Sequence, residues 1–192
     1  MGGCLSESHG SQRVEPAACA LLCIKASFCT EMSNMQYPTL PIQCTYPSRA
    51  VLFLGSNDQV TFKGNYIHNT SGRGPKVGGK TVLHAVNNYW GNIDAAGHAF
   101  EIDAGAYVLA EGNVFNGVGS PVDSNVAGKL FTAEDPSACS GALGRACSAN
   151  ILTGSGAFKG TDVDILSQFS GNAAAADDDA KNVPSSAGIG KI

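Results

Sequence analysis

The sequence predicts an all-β fold, a parallel β-helix in which short coils stack into a solenoid. Three observations predict it. A unit recurs with spacings of 23 residues (Asn65 to Asn88) and 25 residues (Asn88 to Asn113). Each unit holds two or three short β-type runs, such as VLFL, VTF and AYVL, separated by Gly and Asn. Only 15% of the 192 residues are charged while 24 are Gly, a balance that suits a β-rich secreted protein better than a helical bundle.

The repeat is the strongest of the three. Val51–Asn65, VLFLGSNDQVTFKGN, aligns without a gap on Ala99–Asn113, AFEIDAGAYVLAEGN, placing Leu54 on Ile102, Val60 on Val108 and Gly64-Asn65 on Gly112-Asn113. A third copy, TVLHAVNNYW, puts Leu83 and Asn88 at the Val and Asn positions. Two residues after each Asn stands a large apolar residue: Ile67, Trp90 and Phe115. Such a unit cannot bury its apolar side alone, and stacking copies buries it continuously. A propeller blade needs roughly 40–50 residues, and no regular Leu spacing marks a leucine-rich repeat. Asn65, Asn88 and Asn113 are expected at sharp corners, where Asn tolerates the left-handed conformation and stacked side chains bond to one another. Trp90, Tyr89 and Phe115 are expected inside the stack.

The flanks differ from this middle. Residues 1–50 show neither strand alternation nor a sustained helical face, and five of the seven cysteines crowd there: Cys4, Cys19, Cys23, Cys29 and Cys44. The odd count leaves at least one thiol unpaired within the chain. No basic residue precedes Arg13, so the region makes no convincing secretory leader. Met1-Gly2-Gly3-Cys4-Leu5-Ser6 fits a lipidation pattern but conflicts with the secreted character of the rest. No Cys or His set follows Cys19, Cys23 and Cys29 to complete a metal site. Residues 1–50 are therefore read as a poorly ordered or non-native segment, residues 51–171 as the coils, and residues 172–192, with Asp177-Asp178-Asp179, as a polar tail. A net charge of −4 argues against nucleic acid as a partner, and no stretch reaches the roughly 20 apolar residues of a membrane span.

The segments GSNDQVTFKGNYIHNTSGRGPKV, LHAVNN, GHAFEI and YVLAEGNVF together resemble the fungal and oomycete pectin lyases, from about Val51 to Phe169. The resemblance implies a right-handed parallel β-helix and β-elimination of methyl-esterified polygalacturonan (pectin). A base removes the C5 proton, the 4-O-glycosidic bond breaks, and a 4,5-unsaturated sugar results. The ester makes that proton more acidic than a free carboxylate does, so no cofactor or metal is expected. The family places the base within Ser71-Gly72-Arg73-Gly74-Pro75-Lys76, on Arg73, with Lys76 contacting substrate or its developing charge and Pro75 fixing the backbone. A guanidinium is ordinarily charged. It acts as a base only if cations such as Lys76 and exclusion of water favour its neutral form; otherwise it stabilises the enolate. Val77-Gly78 after Lys76 brings no second Arg, which favours pectin over pectate.

The resemblance also implies a Cys139–Cys147 disulfide, and with it an oxidising, extracellular location. Asn69-Thr70-Ser71 is a glycosylation sequon beside the proposed loop. His84 and His98 are read as packing or corner residues, and Glu101 and Asp103, on one face of a strand, as solvent-facing. The family's domain is longer, and its N-terminal coils, which complete the cleft, have no match in residues 1–50. The expectation is an N-terminally truncated monomer of lyase lineage whose activity is impaired. The alternative is a non-catalytic solenoid that at most binds pectin.

Overall fold

The structure, a computed structural model, describes residues 50–93, 97–169 and 178–187. The leader, lipidation and cysteine-cluster expectations fall on residues 1–49, outside the described residues.

The described residues form a parallel β-helix. The first coil contributes β1 (Leu52–Phe53), β2 (Gln59–Lys63) and β3 (Tyr66–His68). The second contributes β4 (Lys76–Val77), β5 (Val82–Val86) and β6 (Tyr89–Ile93). The third contributes β7 (Glu101–Ile102), β8 (Tyr107–Glu111) and β9 (Val114–Val118). A fourth, less regular coil adds β10 (Lys129–Phe131) and β11 (Ile151–Thr153). Strands pair only with their counterparts one coil away, all in parallel. Three sheets result: A (β1-β4-β7), B (β2-β5-β8-β10) and C (β3-β6-β9-β11).

Stacking like on like fills the interior. Leu83 and Val108 lie in register on sheet B with Val60 before and Leu130 after them. Ile67, Trp90 and Phe115 stack on sheet C, the Trp90 and Phe115 rings nearly parallel at 4.9 Å. These positions follow the repeat as aligned. The first strand does not: Phe53, not Leu54, stacks through Val77 to Ile102, and Leu54 is exposed. The turn from β1 to β2 is one residue longer than that from β7 to β8, so the true alignment needs a gap. Tyr89 also departs from expectation. It points outward beside Tyr66, with ring centroids 5.4 Å apart, and accepts a hydrogen bond at its hydroxyl from Asn116.

At the B-to-C corner runs an asparagine ladder. Each amide donates to the next coil's side-chain oxygen, Asn65 to Asn88 at 2.9 Å and Asn88 to Asn113 at 3.0 Å. Asn150 adds a fourth rung, accepting from Asn113 at 2.9 Å. The ladder residues do not themselves adopt the left-handed conformation. The residue before each of the first three does: Gly64, Asn87 and Gly112, at φ of 70°, 54° and 61°. Conformation and hydrogen bonding are thus divided between neighbours.

The outer face of sheet B is roofed by helical segments that follow β10. Leu109 and Phe131 pack there against Cys139, Cys147, Ile165, Leu166 and Phe169. Cys139 and Cys147 are joined as a disulfide, Cα to Cα 5.6 Å. Within the expected polar tail, residues 178–186 are helical, and Ala180, Val183 and Ala187 are buried.

Candidate active site

Arg73 and Lys76 leave the C-to-A corner and the start of sheet A in the second coil. The corner is held from both sides. Arg73 N–H donates to the His98 carbonyl, the Arg73 carbonyl accepts from the N–H groups of Ala50 and Val51, and Gly74 N–H donates to Ala99. From within, the buried Trp90 indole donates to the Gly74 carbonyl at 2.5 Å. Gly97 matters to this clamp, because a Cβ there would sit 1.9 Å from the Ser71 carbonyl oxygen. Arg73 takes φ of +47°, a conformation costly for a residue with a side chain and sustained here by those flanking bonds.

The two cations converge on Glu101, one coil along. Arg73 Nε donates to Glu101 Oε2, and Lys76 Nζ to Oε1 at 2.5 Å. Lys76 also lies 3.1–3.2 Å from the two carboxylate oxygens of Asp103. His98 Nε2 stands 3.3 Å from Glu101 and 3.7 Å from Asp123. Glu101 is therefore not solvent-facing; only 15% of its side chain is exposed, against 34% for Arg73. Burial works against its charge, but hydrogen bonds from Lys76, Arg73 and His98 outweigh that and hold its carboxyl down at about 2. The hydrogen bonds to Glu101 and then Asp103 push the Lys76 ammonium upward.

The arrangement presents two cations, oriented by carboxylates yet open to solvent, on the outer face of sheet A. It suits an anionic ligand or negative charge developing on one. His98, Glu101 and Asp123 bring potential metal-ligand atoms within 4.8 Å of one another. Both Glu101 oxygens already face Arg73 and Lys76, so a divalent ion there would have to displace them.

The structure thus brings Arg73 and Lys76 together, and adds Glu101, His98 and Asp123. A signal for Glu101 was present: it follows Lys76 by 25 residues, one coil, and the two are register partners across β4 and β7. Asn69 lies exposed at the same corner, its amide nitrogen 2.8 Å from His68 Nδ1. His84 lies elsewhere, buried on sheet B.

A family model described as pectate lyase matches residues 55–192. The chain is 54% identical over 145 residues to a probable pectin lyase A of Aspergillus fumigatus, an alignment covering 72% of this chain and 38% of that one. It is 51% identical over 149 residues to pectin lyase B of Emericella nidulans, covering 74% and 39%. It is 54% identical over 141 residues to pectin lyase 2 of Aspergillus oryzae, covering 72% and 37%. The chain therefore spans less than half the length of these curated relatives.

Proposed function

The chain belongs to the pectate lyase family, and from that premise we propose that it serves the eliminative cleavage of methyl-esterified galacturonan in an extracellular setting. One observation carries the reading: Arg73 and Lys76 converge on one solvent-open face around a carboxylate that they share, Glu101. The names of the relatives, all pectin lyases, support the substrate.

The chemistry asks for removal of the C5 proton, formation of the C4–C5 double bond, and departure of the C4 oxygen, which takes a proton from solvent. Arg73 and Lys76 reach the face where the ester carbonyl would gather charge. Arg73 takes the proton only if substrate opens its pair with Glu101 and the guanidinium has first released a proton to solvent, leaving Glu101 to Lys76. If the pair stays closed, Arg73 acts with Lys76 as a charged stabiliser of the enolate. No metal enters either route. The Cys139–Cys147 disulfide suits an oxidising compartment, and Asn69 is the position for a glycan.

The test is ultraviolet absorbance of the unsaturated product from highly esterified pectin in calcium-free buffer. Arg73→Ala is expected to lower the rate a hundredfold or more, on the order of losing one well-placed charge-stabilising donor, with the fold intact by circular dichroism. Equal rates in the two proteins would remove Arg73 from the reaction. A folded wild-type chain that yields no product would leave at most pectin binding.

A further inference from the structure

A second groove lies on a different face. It runs along the outer side of sheet B, near the turns from sheet A, and encloses about 440 Å³, within the usual range for a small-ligand site. Gln59, Val82 and Tyr107 occupy one register row across three successive coils and form its floor. Asn57 and Lys80 rise from the turns entering β2 and β5, and Gln168, from the helical segment Val163–Phe169, lines it too. Neighbouring strands are about 4.8 Å apart, so the row extends about 10 Å along the solenoid axis, enough for a short oligosaccharide.

The lining is chemically one-sided. In a chain of net charge −4 it offers an ammonium, a phenol and three carboxamides, and no carboxylate. Lys80 is exposed and makes no ion pair among the described residues. The next position along the row is Lys129, and it is paired with Asp164, so that carboxylate is already engaged. Carboxamides both donate and accept, as vicinal hydroxyls require. A half-buried tyrosine ring offers an apolar face to sugar C–H groups, and an ammonium pairs with a carboxylate. A neutral sugar has no use for the lysine, and a nucleic acid requires far more positive charge than one.

We infer that this groove binds an acidic oligosaccharide, a run of galacturonate units with free carboxylates, separately from the sheet A face that acts on esterified units. This rests on the galacturonan reading for its sugar. The groove holds the protein on unesterified stretches of a polymer whose esterified stretches are cleaved elsewhere on the molecule.

The experiment titrates the full chain with a short unesterified oligogalacturonate and with its methyl-esterified counterpart, read by calorimetry or amide chemical shifts. The unesterified oligomer is expected to bind more tightly and to weaken with added salt. Lys80→Gln and Tyr107→Ala should each lower its affinity about tenfold, the scale of one charge-assisted hydrogen bond or more, and Arg73→Ala should leave that Lys80-dependent binding in place. Lys80 is exposed, so its substitution tests the groove even if Tyr107→Ala disturbs packing. Affinity indifferent to Lys80→Gln, no binding of the unesterified oligomer, or binding abolished by Arg73→Ala would each overturn the inference. Product formation from esterified pectin is followed separately. A protein that eliminates pectin yet ignores Lys80 loses only the groove.

Discussion

Two glutamates of the third coil, Glu101 on sheet A and Glu111 on sheet B, have carboxyl groups held at about 2 and opposite surroundings. Glu111 is fully buried. It accepts from His84 Nε2 at 2.8 Å, from Arg145 Nη2 and Nη1 at 2.6 and 3.0 Å, and from the Ser148 N–H at 3.0 Å. Burial opposes its charge, and those donors more than compensate. Arg145 lies inside the loop closed by Cys139–Cys147, so the disulfide helps deliver Glu111's partner. Glu101 has a carboxyl lowered as far, but it and Arg73 reach the surface, 15% and 34% exposed, whereas Glu111 and His84 are sealed at 0% and 3%. A depressed carboxyl therefore does not mark a functional site by itself. What separates the two is whether the carboxylate itself reaches the surface with a partner beside it, as Glu101 does with Arg73 and Glu111 does not.

Glu111→Ala gives the largest expected effect on this contrast. It leaves Arg145 and His84 facing an emptied, roofed-over pocket and should cost about 3–5 kcal/mol, read as a fall in denaturation midpoint. An equal cost from Glu101→Ala would erase the distinction. Acid should separate them next. Glu111 titrates at about 2 in the folded state against 4.5 as its ordinary value. A depressed carboxyl contributes stability that is present above the ordinary value and lost as pH falls through the folded one. About 3 kcal/mol should therefore disappear between pH 4.5 and 2, and Glu111→Gln should flatten that limb. The limb should change less in Glu101→Gln, whose partners are screened by solvent. Reduction of Cys139–Cys147 should cost at most about 2–3 kcal/mol, the entropy of so short a loop, and should shift midpoints less in a Glu111→Gln background if Arg145 couples the two. The smallest effect on stability belongs to Glu101→Gln, under about 1 kcal/mol. There the sensitive readout is pectin elimination, expected to fall about tenfold as Arg73 and Lys76 lose their common anchor.

Much of the fold was legible because a solenoid writes its geometry as translation. Residues that stack are one period apart, which exposed the rows of Val60, Leu83 and Val108, of Ile67, Trp90 and Phe115, and three rungs of the ladder. Legibility failed where translation failed. The extra residue between β1 and β2 displaced Leu54 from the row of Ile102. The fourth rung, Asn150, was hidden because it follows Asn113 by 37 residues. Arg73 and Lys76 were found through a local motif, whereas His98, Glu101 and Asp123 join them from later coils, each 25 residues after a partner (Arg73, Lys76 and His98), a period that the local motif does not carry. Tyr89 was misplaced because an aromatic ring suits either face of a strand, and only the register shows that Trp90 takes the inner one.

The ladder's last interval has a consequence for how such a protein can change. Between Asn113 and Asn150 the chain departs through a disulfide-closed excursion, 37 residues instead of 23 or 25, and the rung still closes at 2.9 Å. Lengthening a loop on that scale costs about a few tenths of a kcal/mol, while a rung contributes about 1 kcal/mol. Each asparagine thus works as a docking latch that returns the chain to its place however far it has strayed. Appendages can be grafted between rungs and trimmed again while the stack on which Arg73 and Lys76 stand keeps its spacing.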